Sequence, residues 1–277
     1  MDYQPENYPS VSESVKGLRL ASLLPDISEI LVGCEQRQMA PMSALQLVLG
    51  SAWRRRQTQR QEMQLKMARF PTAATLENFD FSNIDSYSAK LVAELSSCDW
   101  IERHENVLFK GASGLGKTHL AIALGKRAVA KGYRTLFIEA NTLFKSMRMW
   151  NQSGELEDKL KNLAQVKFLI IDDIGYTTDP HPGDAMLFYS LINGRYCKCS
   201  TLITSNRPLQ EWLPALSADA TCMRAAADRF VHLCHIVKLT GKSYRLQEFR
   251  RRSPNSAASD AELIADGSTQ AGGRPGR

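Results

Sequence analysis

The sequence predicts an α/β protein in which a parallel sheet is flanked by helices, with a small helical domain before it. Three observations support this prediction. Residues 86–249 alternate helical and strand-like segments, the pattern of a parallel sheet wound by helices. The apolar run at 106–110 leads into a glycine-rich loop and a helix, and a second apolar run at 166–171 ends in two acids. From 15 to 70, by contrast, the apolar spacing is helical.

This pattern divides the 277 residues into four parts. They are a helical, basic interaction domain at 1–70, a linker at 71–85, the α/β domain at 86–249 and a tail at 250–277. The apolar anchors expected in the N-terminal helices include Leu45, Leu47, Val48 and Leu49. Pro71 predicts the end of the last of these helices, because proline lacks the amide hydrogen. The tail is rich in Ser, Ala, Asp and Gly, so we predict that it is disordered.

Composition and charge restrict the function only loosely. The chain has a formal charge of +6 and is 43% hydrophobic, which suits an anionic partner and a core of ordinary size. Its six cysteines have neither the spacing of a metal site nor the density of a secreted disulfide scaffold. The sequence has no signal-type apolar stretch at its start and no later run long enough to span a bilayer. We therefore expect a cytoplasmic protein without a membrane segment.

The octapeptide GASGLGKT at 111–118 predicts a phosphate-binding loop, because it joins the first strand to a helix. Its glycines allow a tight turn in which amide groups and the helix N-terminus converge on a triphosphate. Lys117 would place a charge on the β- and γ-phosphates, and the Thr118 hydroxyl would ligate Mg²⁺. A chance glycine-rich turn is the alternative, but both flanking elements are present. The residues assigned to the nucleotide here are Gly111, Ser113, Gly114, Gly116, Lys117, Thr118 and His119.

The acids that end the second apolar run form a Walker B element. The run itself, VKFLII at 166–171, is typical of a strand buried on both faces. We expect Asp172 to hold Mg²⁺, directly or through water, and Asp173 to polarise the attacking water. Adjacent acids also occur as helix caps, but the intact phosphate loop favours the catalytic interpretation.

Three later residues predict further contacts with the triphosphate. Asn206 ends a third buried run and would orient the lytic water, which is the sensor 1 arrangement of AAA+ ATPases. Arg229 and Arg245 lie near the end of the α/β region, and a planar guanidinium matches phosphate oxygens bidentately. One arginine would act on a neighbouring subunit as a finger and the other would sense the phosphate of its own chain. Singly, each could be a surface ion-pair partner.

In this order the motifs resemble those of the IstB-like ATPases, which are helpers of transposition and close relatives of the DnaC-type helicase loaders within the AAA+ class. The resemblance covers roughly residues 15–249. The segments that carry it are ARFP at 68–71, LENFDF at 76–81, DDIGY at 172–176, RY at 195–196, TSN at 204–206 and SYR at 243–245. Generic AAA+ proteins usually carry Glu at the position of Asp173. The family resembled here has Asp, so this residue does not by itself imply an inactive ATPase.

The resemblance implies an oligomer that assembles with ATP and Mg²⁺, binds double-stranded DNA with little sequence preference and recruits or stimulates a transposase. Arg229 would then be the finger and Arg245 the sensor. The expected DNA contacts are the basic helix with Arg54, Arg55 and Arg56, and Lys145 and Arg148 in a later helix. Either group could instead be a solvated helix face.

Several alternatives remain open from sequence. A DnaC-like helicase loader shares almost every motif and would differ in what its N-terminal segment binds. A small-molecule P-loop kinase would need an acceptor pocket and an arginine-bearing lid, and a nucleotide-gated binding module would need no useful hydrolysis. In the linker, Phe79 and Phe81 would either pack near the adenine or anchor the linker to the core.

Overall fold

The computed structural model describes residues 9–18, 24–175, 181–209, 211–212, 220–245, 247 and 249. The predicted disordered tail and Tyr176 of the DDIGY segment lie outside this part of the chain. The chain divides into two compact units, Met1–Met63 and Gln64–Arg277. Within the described ranges, no helix combines the length and the apolar character that crossing a membrane requires.

The described part of the N-terminal unit contains three helices. They are α1 (Val11–Gly17), α2 (Leu24–Gln36) and α3 (Pro41–Ala68), the last of which continues into the second unit. Helix α1 begins with a capping box, in which Ser10 Oγ accepts from Glu13 N–H and the Glu13 carboxylate accepts from Ser10 N–H. Helix α3 ends at Ala68, and Arg69 follows with a left-handed φ of 58°.

The apolar anchors predicted for α3 are only partly buried. Val48 packs with Val15, Ile27 and Ala52 in the small core of this unit. Residues 48 and 52 share one helix face because they are four apart. The expectation was wrong for the three leucines: Leu45, Leu47 and Leu49 are 51%, 42% and 53% exposed.

The second unit alternates helices and strands, as predicted. After a 3₁₀ turn at Phe81–Asn83 come α4 (Ser86–Leu95), α5 (Asp99–Glu102), β1 (Asn106–Lys110), α6 (Lys117–Ala130), β2 (Thr135–Glu139), α7 (Ala140–Gln152), α8 (Leu156–Ala164), β3 (Phe168–Asp172), α9 (Asp184–Arg195), β4 (Ser200–Ser205), α10 (Ala220–Val231) and β5 (Cys234–Lys238).

The strands form one parallel sheet in the order β2-β3-β4-β1-β5. Strand β1 lies between β4 and β5, with Val107 opposite Leu202 and His235. Because all strands run in the same direction, their carboxyl ends meet at one edge of the sheet. That edge is where ligands bind in open α/β sheets. The predicted fold class, a parallel sheet flanked by helices, is confirmed.

Strand β3 shows why the predicted Walker B run is apolar without interruption. Phe168 and Ile170 pack on the side of the sheet covered by α6, whereas Leu169 and Ile171 pack on the opposite side with α7 and α9. Alternate residues of a strand face opposite sides, so a strand covered on both faces needs an apolar residue at every position.

Arg195, in the RY segment, is a structural residue. Its side chain is 1% exposed at the end of α9. The guanidinium donates to the carbonyl oxygens of Leu163, Val166 and Ser200 and to Thr201 Oγ1, at 2.5 to 2.9 Å. These bonds tie α9 to the segment before β3 and to the start of β4.

Candidate functional site

A cavity of about 700 Å³ opens at the carboxyl edge of the sheet. This volume lies in the range of ligand pockets. The residues that line it come from the linker, the phosphate loop, the start of α6, strand β2, the end of β3 and the segment after β5. Among them are the predicted site residues Ser113, Gly114, Gly116, Lys117, Thr118, His119, Asp172, Asp173 and Arg245.

Two glycines of the phosphate loop are required for more than one reason. Gly114 and Gly116 have φ of 82° and 87°, in the left-handed region that favours glycine. A Cβ atom on Gly114 would lie 2.1 Å from Ser243 Oγ, and one on Gly116 would lie 2.5 Å from the ring of Phe79. The loop is therefore held tightly by residues from outside the octapeptide.

Lys117 is folded back onto the loop that precedes it. Its Nζ donates to the carbonyl oxygens of Gly111 and Ala112 at 2.8 and 2.9 Å. Burial lowers the pKa of Lys117, and the nearby charge of Arg245 acts in the same direction, while Asp173 and Asp172 oppose the shift. The ammonium thus lies in a confined position in which an anionic ligand would stabilise its charge.

Asp172 and Thr118, the two predicted Mg²⁺ ligands, are in direct contact. Thr118 Oγ1 lies 3.0 Å from both carboxylate oxygens of Asp172 and donates to them. Burial raises the pKa of Asp172, although hydrogen bonds from Thr204 and Thr118 oppose the shift. A divalent cation would relieve this cost of burying a carboxylate.

The Thr118 hydroxyl and the Asp172 carboxylate suit Mg²⁺ better than a metal that is held by protein groups alone. Mg²⁺ prefers oxygen ligands and usually keeps several waters, with one or two protein groups and the substrate phosphates. Within the described residues, no group of three or more His, Cys, Asp or Glu could hold a metal ion. Thr118 and Asp172 would therefore supply the protein oxygens, with water and phosphate completing the shell.

Thr204, to which the sequence analysis assigned no role, connects the two acids. Its hydroxyl donates to Asp172 Oδ1 at 2.6 Å and accepts from the backbone N–H of Asp173 at 2.8 Å. Asp173 has a left-handed φ of 58°, so the chain turns sharply directly after β3. The only signal in the sequence was a hydroxyl residue near the end of the third apolar run.

Asn206 follows β4 at the same edge of the sheet. Its Oδ1 atom is buried and has no hydrogen-bond partner in the described part of the chain. Buried polar atoms are nearly always paired with protein or water, so this oxygen is an exception that calls for a partner.

The linker and the segment after β5 meet at the phosphate loop. The Phe79 ring packs against Phe81, His119 and Tyr244, with ring centroids 4.8, 5.4 and 5.7 Å apart. The backbone N–H of Tyr244 donates to the carbonyl of Gly114 at 2.9 Å. Its hydroxyl donates to the carbonyl of Asp80. Phe79 thus anchors the linker, which is one of its two predicted roles, and its ring also lines the cavity.

Arg229 is not part of the cavity wall. It lies in the last turn of α10, and its neighbour Phe230 accepts through its carbonyl from Asn106 Nδ2 at 2.9 Å. Asn106 begins β1, whereas the phosphate loop follows the last residue of that strand. Arg229 is therefore near the amino edge of the sheet, the edge opposite its own phosphate loop.

The predicted DNA contacts differ in exposure. Lys145 is exposed on α7, and the three arginines at 54–56 are exposed on α3. Arg148 differs from the expectation of a solvent-facing contact, because its Nη1 lies 2.8 Å from the carboxylate of Asp184. The two side chains are 17% and 0% exposed, respectively. This buried ion pair makes Arg148 a packing residue between α7 and α9.

Comparisons with known proteins point to a family of ATP-binding proteins. The family model described as IstB-like ATP binding protein matches residues 13–252. A protein named for ATP binding in insertion sequence IS21 of Pseudomonas aeruginosa is 34% identical over 257 residues, covering 91% of this chain and 96% of that relative. Its counterpart in insertion sequence IS5376 of Geobacillus stearothermophilus is 38% identical over 186 residues, or 67% of this chain and 73% of that one.

Two solved structures share the fold. AMPPCP-bound DnaA from Aquifex aeolicus has a TM-score of 0.52 at 20% identity, and the similarity covers 67% of this chain and 56% of that one. The DnaI structure has a TM-score of 0.52 at 19% identity, covering 61% and 92%. Both similarities show a shared fold, a parallel sheet flanked by helices.

Proposed function

The chain belongs to the family of IstB-like ATP-binding proteins, and we propose that it is an ATPase that assembles on double-stranded DNA and recruits or stimulates a transposase. The observation that carries the proposal is the contact of Thr118 with Asp172 beside the phosphate loop, in a cavity of nucleotide size. An ATP-binding role in the AAA+ class follows from the family and the fold. Hydrolysis, DNA binding and recruitment are the proposed steps.

For hydrolysis, the amides of the phosphate loop and Lys117 hold the β- and γ-phosphates. Thr118 and Asp172 ligate Mg²⁺, which supplies neutralisation of phosphate charge when it is bound. Asp173 accepts the proton of the attacking water. The buried Oδ1 of Asn206, which has no partner among the described residues, supports its role as the group that orients this water. Arg245 lines the cavity and contacts the phosphate of its own chain.

Assembly depends on Arg229. Because this residue lies near the amino edge of the sheet, it acts on ATP bound by a neighbouring subunit. A γ-phosphate that bridges two subunits makes oligomer formation depend on nucleotide, and hydrolysis then weakens the contact.

DNA binding uses exposed cations that contact phosphates without reading bases. Lys145 on α7 and the arginines at 54–56 on α3 supply these contacts. Recruitment of a transposase is supported by the relatives, which are named for insertion sequences. We assign the domains as first predicted, with 1–70 as the interaction domain and 86–249 as the ATPase domain.

The test is ATP turnover measured together with particle mass by light scattering, with and without duplex DNA. Wild type should assemble only with ATP and DNA together, and Lys117→Ala should lose both turnover and assembly. Lys145→Ala should weaken the DNA response, whereas Lys161→Ala, an equal charge change at an exposed residue of α8, should not. A monomer indifferent to DNA would contradict the proposal.

Recruitment of a transposase is tested in a separate experiment. The assembled protein is mixed with the transposase of an IS21 element or, as the control, with a replicative helicase. Retention of the transposase on ATP-assembled complexes supports the proposal. Retention of the helicase alone would instead identify a helicase loader.

A further inference from the structure

Arg229 is stacked on an aromatic ring. Its guanidinium carbon lies 5.0 Å from the centroid of the Tyr189 ring, and its Nη1 donates to the carbonyl of Ala225 at 3.1 Å, one turn earlier in α10. A cation over the face of an aromatic ring is attracted by the negative charge density of that face. One of the five guanidinium donors is thus used within the helix, and the contact with the ring restricts the orientation of the others.

The partner of Arg229 differs in kind from those of Arg103 and Arg148. Arg103 and Arg148 are paired with the carboxylates of Glu105 and Asp184. Arg229 has no carboxylate partner among the described residues, and the ring of Tyr189 takes that place. A ring orders the side chain without neutralising it, so the full charge remains available to an anion.

Helix α9 gives Tyr189 a rigid support. Its first residue, Asp184, is buried in the ion pair with Arg148 of α7. Its last residue, Arg195, is buried and bonded to the start of β4. Tyr189 lies between these two fixed ends, and the apolar residues of α9 pack against Met223, Ala226 and Phe230 of α10. A side chain that must hold a reacting group in one geometry does so more accurately on a rigid helix than on a loop.

We propose that Tyr189 is the positioning residue for Arg229 and holds its guanidinium ready for the triphosphate bound by a neighbouring subunit. This inference rests on the proposed function of Arg229 as a finger acting between subunits. An unrestrained arginine loses most of its side-chain freedom when it engages a phosphate. The stack removes part of that loss beforehand, so its effect should appear in turnover and not in the binding of ATP to a single subunit.

The test compares Tyr189→Phe with Tyr189→Leu in the full chain. Phe keeps the ring face, so turnover should stay within about twofold of wild type, whereas Leu should lower it about 3- to 10-fold, the range expected for loss of a partly exposed cation–π contact. Affinity for ATP under conditions that prevent assembly should be unchanged in both. A third variant places 4-cyanophenylalanine at position 189. This side chain keeps the ring, has one more heavy atom than tyrosine, draws charge from the ring face and should reduce turnover.

Mixing experiments separate a positioning role from a folding defect. Lys117→Ala subunits cannot bind ATP productively but carry an intact Arg229 and Tyr189. Adding them to Tyr189→Leu subunits should restore part of the turnover, as it should for Arg229→Ala. A misfolded Tyr189→Leu chain would gain nothing from the mixture. That result would overturn the inference unless the cyano variant, which keeps the ring, still loses turnover and is restored by the mixture.

The outcomes distinguish the two proposals. Wild-type turnover in Arg229→Ala would contradict the proposed role of Arg229 as a finger, and the inference about Tyr189 would fail with it. Loss in Arg229→Ala together with wild-type turnover in Tyr189→Leu would overturn only the role of Tyr189. Equal loss in the Phe and Leu variants would show that the hydroxyl, and not the ring face, is what matters, and would also overturn it.

Discussion

The hydroxyl of Thr204 donates to Asp172 Oδ1 at 2.6 Å and at the same time accepts from the backbone N–H of Asp173 at 2.8 Å. One buried side chain on β4 therefore positions both acids at the end of β3. Neither acid could be shifted relative to the other without breaking one of these bonds.

We expect Thr204→Val to lower ATP turnover about tenfold while ATP affinity changes little. Valine has the same shape but leaves a buried carboxylate and an N–H without this partner, at a cost of about 1–3 kcal/mol. Steady-state phosphate release and equilibrium nucleotide binding measure the two effects. Thr204→Ser, which keeps the hydroxyl, is the control. Unchanged turnover in the valine variant would show that this bond is not needed to hold the acids.

Asp172→Asn should raise the thermal stability of the nucleotide-free protein at neutral pH and abolish hydrolysis. Burial raises the pKa of Asp172, so the folded state disfavours the ionised form. The unfolded chain ionises at lower pH than the folded one, and stability is lost as the pH rises through the folded pKa. Asparagine avoids this loss, and its advantage should shrink as the pH falls to where the carboxyl is protonated in both states. Melting curves across that pH range are the measurement, and a constant difference would contradict this account.

Gly116→Ala should weaken nucleotide binding at least about tenfold. The added Cβ meets the Phe79 ring at 2.5 Å, and the left-handed φ of 87° adds strain of about 1 kcal/mol. Gly132→Ala is a matched control, because Gly132 has φ of 89° and a Cβ added there would have no neighbouring atom within 4 Å. It should show the strain as a small loss of stability and bind nucleotide normally. If the two variants bound nucleotide equally well, the Phe79 ring would be able to move aside without affecting the site.

Arg195→Lys should destabilise the second unit by about 3–5 kcal/mol. Lysine cannot reproduce the forked donors, so several buried carbonyl oxygens lose their partner. Denaturant unfolding of the full chain measures the change. Arg134→Lys at an exposed position is the control and should unfold like wild type. A loss below about 1 kcal/mol would indicate that water or a shifted backbone replaces these bonds.

Lys145→Ala and Arg148→Ala should have different consequences although both remove one charge from α7. Loss of Lys145 should weaken DNA binding and reduce the salt dependence by about one unit of slope, with no change in melting temperature. Loss of Arg148 leaves the fully buried Asp184 without its cation, at a cost of about 3–5 kcal/mol. DNA titrations at several salt concentrations and melting curves separate the two. Arg148→Met combined with Asp184→Asn should recover much of the stability, and a failure to recover would show that the pair contributes more than mutual neutralisation.

The parts of the site that the sequence predicted are those carried by contiguous residues. Strand, glycine-rich loop and helix follow one another directly at 106–118, and the acids follow directly after the apolar run of β3. Apolar runs also predicted the parallel sheet, because a strand covered on both faces is apolar at every position. Parallel strands in turn bring their carboxyl ends to one edge, so the meeting of Thr118 with Asp172 could be expected from the order of the motifs alone.

Contacts between distant segments were decided by packing. Thr204 and Asp172 are 32 positions apart, Arg148 and Asp184 are 36 apart, and Tyr244 meets Asp80 across 164. No local pattern marks such pairs, since each depends on the register of neighbouring strands or on the rotation of packed helices. Helix packing likewise places Arg148, an expected DNA contact, in a buried ion pair with Asp184, and it places Tyr189 beside Arg229. Short-range geometry thus determines which chemistry this chain can perform, and tertiary packing decides which side chains orient it.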